Sequence, residues 1–154
     1  MLTSRMLAFG AALAIGAATS ITAFAQDKDR VIADRQDLMK RQTREYIVVR
    51  NYVQGTADQQ AATAAVDSLA KLVSDVPNHF PPGTAGPAPD GKYATKPEVW
   101  TQHDKFLAAD KKVSGQVAAL AAAVKSGDKA KAEVAFKELD ACNACHHDFR
   151  EKLQ

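Results

Sequence analysis

Five consecutive residues near the C-terminus, Cys142, Asn143, Ala144, Cys145 and His146, place two thiols and an imidazole within one short stretch. On a helix, residues three apart lie on neighbouring positions of one face, so both thiols can reach a single bound group. The C-x-x-C-H spacing is typical of covalent haem attachment. We therefore expect one haem c per chain, held by thioethers to Cys142 and Cys145, with His146 binding the iron.

Three other kinds of site use cysteines at this spacing. A disulfide between Cys142 and Cys145 is the usual state of a pair in an exported protein, but it gives His146 no role. A thioredoxin-like redox pair requires a strand followed by a helix, and the sequence shows no strand pattern here. A structural zinc site requires four ligands. The chain has only two cysteines, and His146 and His147 are adjacent in sequence, which is a poor spacing for tetrahedral ligands. Haem attachment is the interpretation that uses all three residues.

The N-terminus has the composition of a secretory signal peptide. Arg5 supplies a positive charge, residues 7–15 are apolar, and residues 23–25 form an A-x-A cleavage site before a charged stretch. The apolar stretch is shorter than the roughly 20 residues that a membrane-spanning helix needs. We predict that residues 1–25 are removed on export to the bacterial periplasm and that residues 26–154 form one haem domain. An uncleaved membrane anchor is the alternative.

The charge balance argues against a nucleic-acid partner. The chain has 20 basic and 18 acidic residues, and loss of Arg5 with the signal segment lowers the formal net charge from +2 to +1. Its basic residues are scattered along the sequence, whereas nucleic-acid-binding proteins concentrate them on one surface. We therefore expect no nucleic-acid partner.

Four segments have the periodicity of amphipathic helices. They cover residues 29–54, 58–76, 95–125 and 129–152. In the third segment one acidic residue, Asp110, interrupts the apolar stripe. An apolar spacing near 3.5 residues favours packing at about 20°, and short connections favour antiparallel neighbours. The sequence predicts an all-α fold, an antiparallel up-down-up-down four-helix bundle with covalently bound haem.

Helix ends are indicated by particular residues. Gly55 and Pro77 are expected to end the first two helices. Thr95 and Glu98 have the spacing of a capping box at the start of the third, and Asp128 is the expected N-cap of the fourth. Residues 77–95 contain so many Pro and Gly that we expect no regular structure there. A loop of this length is unusual and often covers a functional site.

Four stretches carry a more specific pattern than the haem motif alone. They are Arg35-Gln36, Phe80-Pro81-Pro82-Gly83-Thr84, Lys96-Pro97-Glu98-Val99-Trp100 and Cys142 to Arg150. With these stretches, and with its haem motif on the last helix, the chain resembles the class II cytochromes c, the family of cytochrome c′ and cytochrome c-556. The resemblance covers the whole predicted haem domain. It implies that Arg35, Phe80, Trp100 and Arg150 surround the haem, with Arg35 near a propionate.

The resemblance also bears on the second axial ligand. Cytochrome c′ has an apolar residue on the distal side of a five-coordinate iron, whereas the c-556 type places a methionine sulfur there. The corresponding position, four residues after Arg35, is Met39. The resemblance therefore implies His146/Met39 ligation and a low-spin protein of the c-556 type. On the residues alone, the preferred interpretation of Met39 is a core filler, since methionine packs well into irregular gaps.

The function that the resemblance implies is periplasmic electron transfer, with redox partners in the periplasm or the membrane and no enzymatic activity. The alternative is a five-coordinate protein of the cytochrome c′ type that binds nitric oxide or carbon monoxide. The two functions differ in whether the iron has an open coordination position. The sequence leaves open whether the chain is a monomer or a homodimer.

Overall fold

The computed structural model describes residues 16–154, with side chains from Asp27 onward. Its α-helices, in chain order, are α1 (Gly16–Val53), α2 (Gln59–Ser74), α3 (Glu98–Thr101), α4 (His103–Lys125), α5 (Lys129–Lys137) and α6 (Ala141–Phe149). A short 3-10 helix, Val76–His79, follows α2. The predicted signal segment lies mostly outside the described residues and stays a prediction. No helix within residues 16–154 is both long and apolar enough to cross a membrane.

Helices α1, α2 and α4 occupy three positions of a four-helix bundle, and α5 and α6 together occupy the fourth. Helix α2 packs against both α1 and α4, and α4 packs in turn against α5 and α6. Gly55 ends α1 with a left-handed φ of 81°, which glycine adopts without steric cost. Asp128 accepts a 3.1 Å hydrogen bond from Lys131 N at the start of α5. The predicted bundle and the predicted N-cap are confirmed.

The third predicted helix begins later than expected and is interrupted. Thr95 lies in a strand, where its Oγ1 accepts a 2.9 Å hydrogen bond from Arg35 Nη1. Glu98 Oε2 is buried without a hydrogen-bond partner among the described residues. The predicted capping box is therefore wrong, because a long-range contact takes the threonine hydroxyl. Gln102, at φ −123° and ψ 46°, separates α3 from α4.

The fourth predicted helix, residues 129–152, is in fact two helices and a strand. Helix α5 ends at Lys137, α6 begins at Ala141, and the chain is extended beyond α6. Leu139, between the two helices, is only 7% exposed, so the break turns an apolar side chain into the core. The prediction of one continuous helix is wrong, and no Gly or Pro marks the interruption.

The chain between α2 and α3, expected to lack regular structure, contains two short strands. Strand β1 (Gly86–Pro87) pairs antiparallel with β2 (Tyr93–Thr95), and β2 pairs antiparallel with β3 (Arg150–Lys152). Lys96 N continues the ladder by donating to Phe149 O at 3.0 Å. The expectation is wrong for these residues. The sheet fastens the long loop to the C-terminal end of α6.

Two apolar clusters fill the bundle. The first cluster includes Val49, Val66, Val117 and Leu120, which are fully buried. The second cluster consists of Leu38, Leu72, Val76, Val99, Phe106 and Phe149. Cys142 packs against the first cluster, whereas Cys145 and Met39 pack against the second. The predicted haem residues therefore lie where the two parts of the core meet.

Candidate cofactor site

A cavity of about 540 Å³ opens between α1, α2, α4, α6 and the small sheet. Its volume is within the range of protein pockets that enclose a small molecule, roughly 300–1,000 Å³. The cavity wall brings together all but one of the residues predicted to surround or bind the haem: Arg35, Met39, Phe80, Cys142, Cys145, His146 and Arg150. These residues are separated by more than a hundred positions in the sequence, so the fold assembles the site.

Helix α6 presents both cysteines to this cavity as free thiols. Burial raises the pKa of the Cys142 thiol, and it raises that of Cys145 to about 11, with help from the negative charge of Asp110. Both thiols are therefore protonated at neutral pH, unlike the thiolates of redox and metal sites. Among the residues described, no group of three or more His, Cys, Asp or Glu could hold a metal ion. Within the described part of the chain, the structure thus has no disulfide between Cys142 and Cys145 and no set of side chains that suits zinc.

His146 follows Cys145 on α6 and lines the same cavity. Burial, together with the positive charge of Arg150, lowers the pKa of its imidazole to about 4. The ring is therefore neutral at physiological pH, which is the form that binds metals. Arg150 lies at the end of α6, where its backbone N–H donates to His146 O. Its guanidinium lies 4.3 Å from the centroid of the Tyr93 ring.

Met39 reaches the cavity from α1, one helical turn beyond Arg35. Its side chain is half-buried and packs against the second cluster. The cavity therefore has a thioether on α1 and a neutral imidazole on α6.

Arg35 is only 5% exposed and is held by the loop between α2 and α3. Its Nε donates to His79 O at 2.9 Å, and its Nη2 donates to Thr84 Oγ1 at 2.6 Å. Its Nη1 donates to Thr84 O at 3.1 Å and to Thr95 Oγ1 at 2.9 Å. One N–H of Nη2 is not used in these bonds, since a guanidinium carries five. The sequence missed the role of both threonines, although Thr84 stands in one of the stretches that carry the resemblance.

Two aromatic side chains surround the same guanidinium. The centre of the Arg35 guanidinium lies 4.2 Å from the Phe80 ring centroid and 5.9 Å from that of Trp100. Phe80 lines the cavity, whereas Trp100 lies behind it and donates from Nε1 to Phe80 O at 2.9 Å. The resemblance implies a place for Trp100 beside the haem; in the structure Trp100 does not line the cavity and contacts Phe80, which does.

Burial lowers the pKa of Arg35 to about 10, so the side chain remains charged at neutral pH. Within the described residues it has no carboxylate partner. A buried cation is stabilised by a nearby anion. A carboxylate in the cavity, such as a haem propionate, would accept a hydrogen bond from the free N–H of Arg35.

Replacing Arg35 by alanine is expected to lower the free energy of unfolding by about 3 kcal/mol or more, because His79 O and Thr84 O lose a charged donor. The measurement is guanidinium unfolding of the holoprotein. Arg44→Ala is the matched control, since Arg44 is an exposed cation on the same helix. Equal losses in the two variants would show that the loop does not depend on Arg35.

Asp110 also lines the cavity, from α4, a role that its position in an apolar stripe did not indicate. Burial raises the pKa of its carboxyl group, and its charge contributes to the raised pKa of Cys145. It has no hydrogen-bond or ion-pair partner among the described residues. The site thus has one acidic group in an otherwise apolar part of its wall.

Asp110→Asn is expected to raise the free energy of unfolding at pH 7 relative to the unchanged protein. Folding raises the pKa of this carboxyl group. The carboxyl group therefore contributes to the stability of the folded state at pH values below its pKa in the unfolded chain, where it is protonated. That contribution is lost as the pH rises through the folded pKa. The advantage of the variant should therefore shrink at pH 4, as measured by unfolding at both pH values. Asp104→Asn, at an exposed position of the same helix, should show no such gain.

These residues fit a c-type haem. The thiols of Cys142 and Cys145 are protonated and lie one turn apart, and the neutral imidazole of His146 follows them. The thioether of Met39 lines the same cavity, and the buried guanidinium of Arg35 keeps one N–H free. The fold and the site together define a helical-bundle protein with a covalently attached haem.

The comparisons agree with this class. The family model described as Cytochrome C′ matches residues 30–150, and the chain belongs to this family. Cytochrome c-556 of Rhodopseudomonas palustris is 30% identical over 143 residues, which cover 90% of this chain and 95% of the relative. Cytochrome c′ of Rubrivivax gelatinosus is 39% identical over 102 residues, which cover 64% of this chain and 77% of the relative.

Solved structures show the same fold. The crystal structure of cytochrome c′ from Rubrivivax gelatinosus has a TM-score of 0.68 at 31% identity, covering 78% of this chain and 94% of that one. Recombinant native cytochrome c′ from Alcaligenes xylosoxidans has a TM-score of 0.72 at 26% identity, covering 81% of this chain and 97% of that one. The predicted four-helix bundle and the predicted haem c cofactor are confirmed.

Proposed function

We propose that this family member is a periplasmic electron carrier with a six-coordinate haem. Cys142 and Cys145 would hold the haem through thioethers, and His146 and Met39 would bind its iron. The observation that carries the proposal is the placement of Met39 and His146 on the wall of one cavity, from α1 and α6. The similarity to cytochrome c-556 over 90% of the chain supports the same assignment.

A bound haem c supplies one-electron redox chemistry, and His/Met ligation raises its reduction potential relative to ligation by histidine alone. The protein residues keep both ligands in place during electron transfer. Met39 is packed against the second cluster, and α6 is fastened at its C-terminal end by the sheet. Because both ligands lie on packed helices, the gain or loss of one electron would require little rearrangement of the protein.

Part of the remaining wall is apolar. Phe106, Val113 and Val117 of α4 contribute apolar surface, and all three are buried. Arg35 supplies a positive charge and a free N–H for a carboxylate. With His146 and Met39 both bound, the iron would have no open position for a substrate. We therefore propose a carrier and not an enzyme.

The proposed partners are redox proteins of the periplasm or the membrane. The proposal rests on the signal-peptide pattern of residues 1–25 and on the exposed rim of the cavity. Lys40 and Arg150 are exposed side chains that border it. The assembly proposed for the chain is a monomer or a homodimer.

The second candidate is gas binding at a five-coordinate iron. A nitric oxide complex of a variant of cytochrome c′ from Alcaligenes xylosoxidans has a TM-score of 0.72 to this chain at 26% identity. The packing of Met39 against the second cluster is also what a core filler would show. Under this alternative Met39 covers the iron without binding it.

Spectroscopy of the purified holoprotein separates the two candidates. A low-spin electron paramagnetic resonance (EPR) spectrum, and a reduced optical spectrum that carbon monoxide leaves unchanged, are expected for the electron carrier. A high-spin spectrum that changes on adding carbon monoxide would favour gas binding.

A further inference from the structure

The N-terminal end of α6 needs a partner from elsewhere in the fold. The first N–H groups of any helix have no partner within it. The residue before α6, Asp140, makes no side-chain cap to them. Gln116 of α4 supplies one, since its Oε1 accepts from Ala141 N at 3.0 Å. The same side chain donates from Nε2 to Asp140 Oδ1 at 2.8 Å.

Gln116 thus joins α4 to the break between α5 and α6 at two points. Its hydrogen bond lowers the pKa of Asp140, and the positive charge of Lys112 adds to that effect. The Lys112 Nζ lies 3.7 Å from Asp140 Oδ1. Ala141 is only 2% exposed with Gln116 in place. The contact therefore satisfies a buried donor and fixes an ionised acceptor beside it.

We propose that Gln116 is a positioning residue for the haem. Ala141 directly precedes Cys142, so the bridge fixes the end of α6 from which the first thioether forms. The assignment of a role toward the haem rests on the proposed function. The bridge itself rests on the two hydrogen bonds.

Helix α6 depends on such a contact because it is short. It has nine residues and is not continuous with α5, and isolated helices of this length are unstable. Its C-terminal end is held by Phe149 in the second cluster and by strand β3. At its N-terminal end, Gln116 provides the polar contact, while Leu139 and Ala141 pack in the first cluster. Loss of Gln116 should loosen one end of α6 and leave the other in place.

Gln116→Ala is the test variant, and Gln59→Ala is its matched control. Gln59 also bridges two helices through its amide, donating to Val124 O at 3.1 Å and Lys125 O at 3.3 Å, away from α6. Both variants should lower the free energy of unfolding of the holoprotein. Only Gln116→Ala should speed amide hydrogen exchange in residues 141–145, by several-fold, and broaden the EPR signal of the iron.

Exchanging the amide and the carboxylate between positions 116 and 140 provides a test of whether the bridge can be restored. Gln116→Glu keeps an acceptor for Ala141 N but places a second carboxylate against Asp140. Adding Asp140→Asn supplies a donor on the other side, and this double variant should recover slow exchange in residues 141–145. Hydrogen exchange reports on the bridge whatever the spin state of the iron. A high-spin signal in the unchanged protein would therefore overturn the proposed ligation and leave this test intact. Equal exchange in Gln116→Ala and Gln59→Ala would overturn the role of Gln116.

Discussion

Met39→Leu is expected to convert the iron from low-spin to high-spin and to open it to carbon monoxide. Leucine has nearly the volume of methionine, and such an exchange in a core usually costs less than about 1.5 kcal/mol. The variant should therefore fold and retain its haem while losing the sulfur that we propose binds the iron. EPR of the oxidised protein and optical titration of the reduced protein with carbon monoxide measure the change.

Leu72→Ile is the control for the effect of repacking alone. Leu72 belongs to the second cluster, against which Met39 packs, and is 7% exposed. This variant should remain low-spin and insensitive to carbon monoxide. If Met39→Leu also remained low-spin, another side chain would be the ligand, and His79 in the loop would be the first to replace. His79 Nε2 lies 3.0 Å from Asp75 Oδ2 in the structure.

Replacing both Cys142 and Cys145 by alanine is expected to abolish covalent haem attachment completely. Each thiol is proposed to form one thioether, so each single variant should keep one bond and the double variant none. Mass spectrometry of the denatured protein measures the attachment, since only a covalent haem adds to the mass of the unfolded chain. His146→Ala should keep the cysteines but prevent stable assembly of the holoprotein.

His147→Ala is the control for changes in this part of the chain. Its ring is exposed, and Nδ1 lies 3.1 Å from Asp148 Oδ1 at the surface. The variant should retain haem in full. Retention of a haem-sized mass by the double cysteine variant would show that the haem is attached elsewhere.

Local sequence signals predicted the parts of the fold that depend on neighbouring residues. The periodicity of the second segment places Ala62, Val66, Leu69 and Val73 in the core, where the structure has them. Asp128, the expected N-cap, accepts a backbone hydrogen bond at the start of α5. These features could be inferred because each requires only residues three or four positions apart.

Features that depend on distant residues could not be inferred in this way. Thr95 has the spacing of a capping residue, but a buried guanidinium needs acceptors, and Arg35 takes its hydroxyl. The three residues of β3 are too few to show an alternating pattern. The break before α6 contains no Gly or Pro, and Leu139 and Gln116 hold it through contacts across the bundle.

The candidate site was largely predictable, but for two different reasons. Cys142, Cys145 and His146 form a local motif whose chemistry follows from residue type and spacing. Arg35, Met39, Phe80 and Arg150 were identified only by resemblance to a family, and the structure places them on the same cavity wall. The roles of Asp110 and Thr84 depend on which side chains face them, and their spacing alone gave no sign of it.

The proposed electron carrier requires that His146 and Met39 both coordinate the iron. The most direct test is the set of spectra of the unchanged holoprotein, oxidised and reduced, with and without carbon monoxide. We predict a low-spin EPR signal and a reduced optical spectrum that carbon monoxide does not alter. A high-spin signal, with an optical spectrum that shifts on adding carbon monoxide, would contradict ligation by Met39.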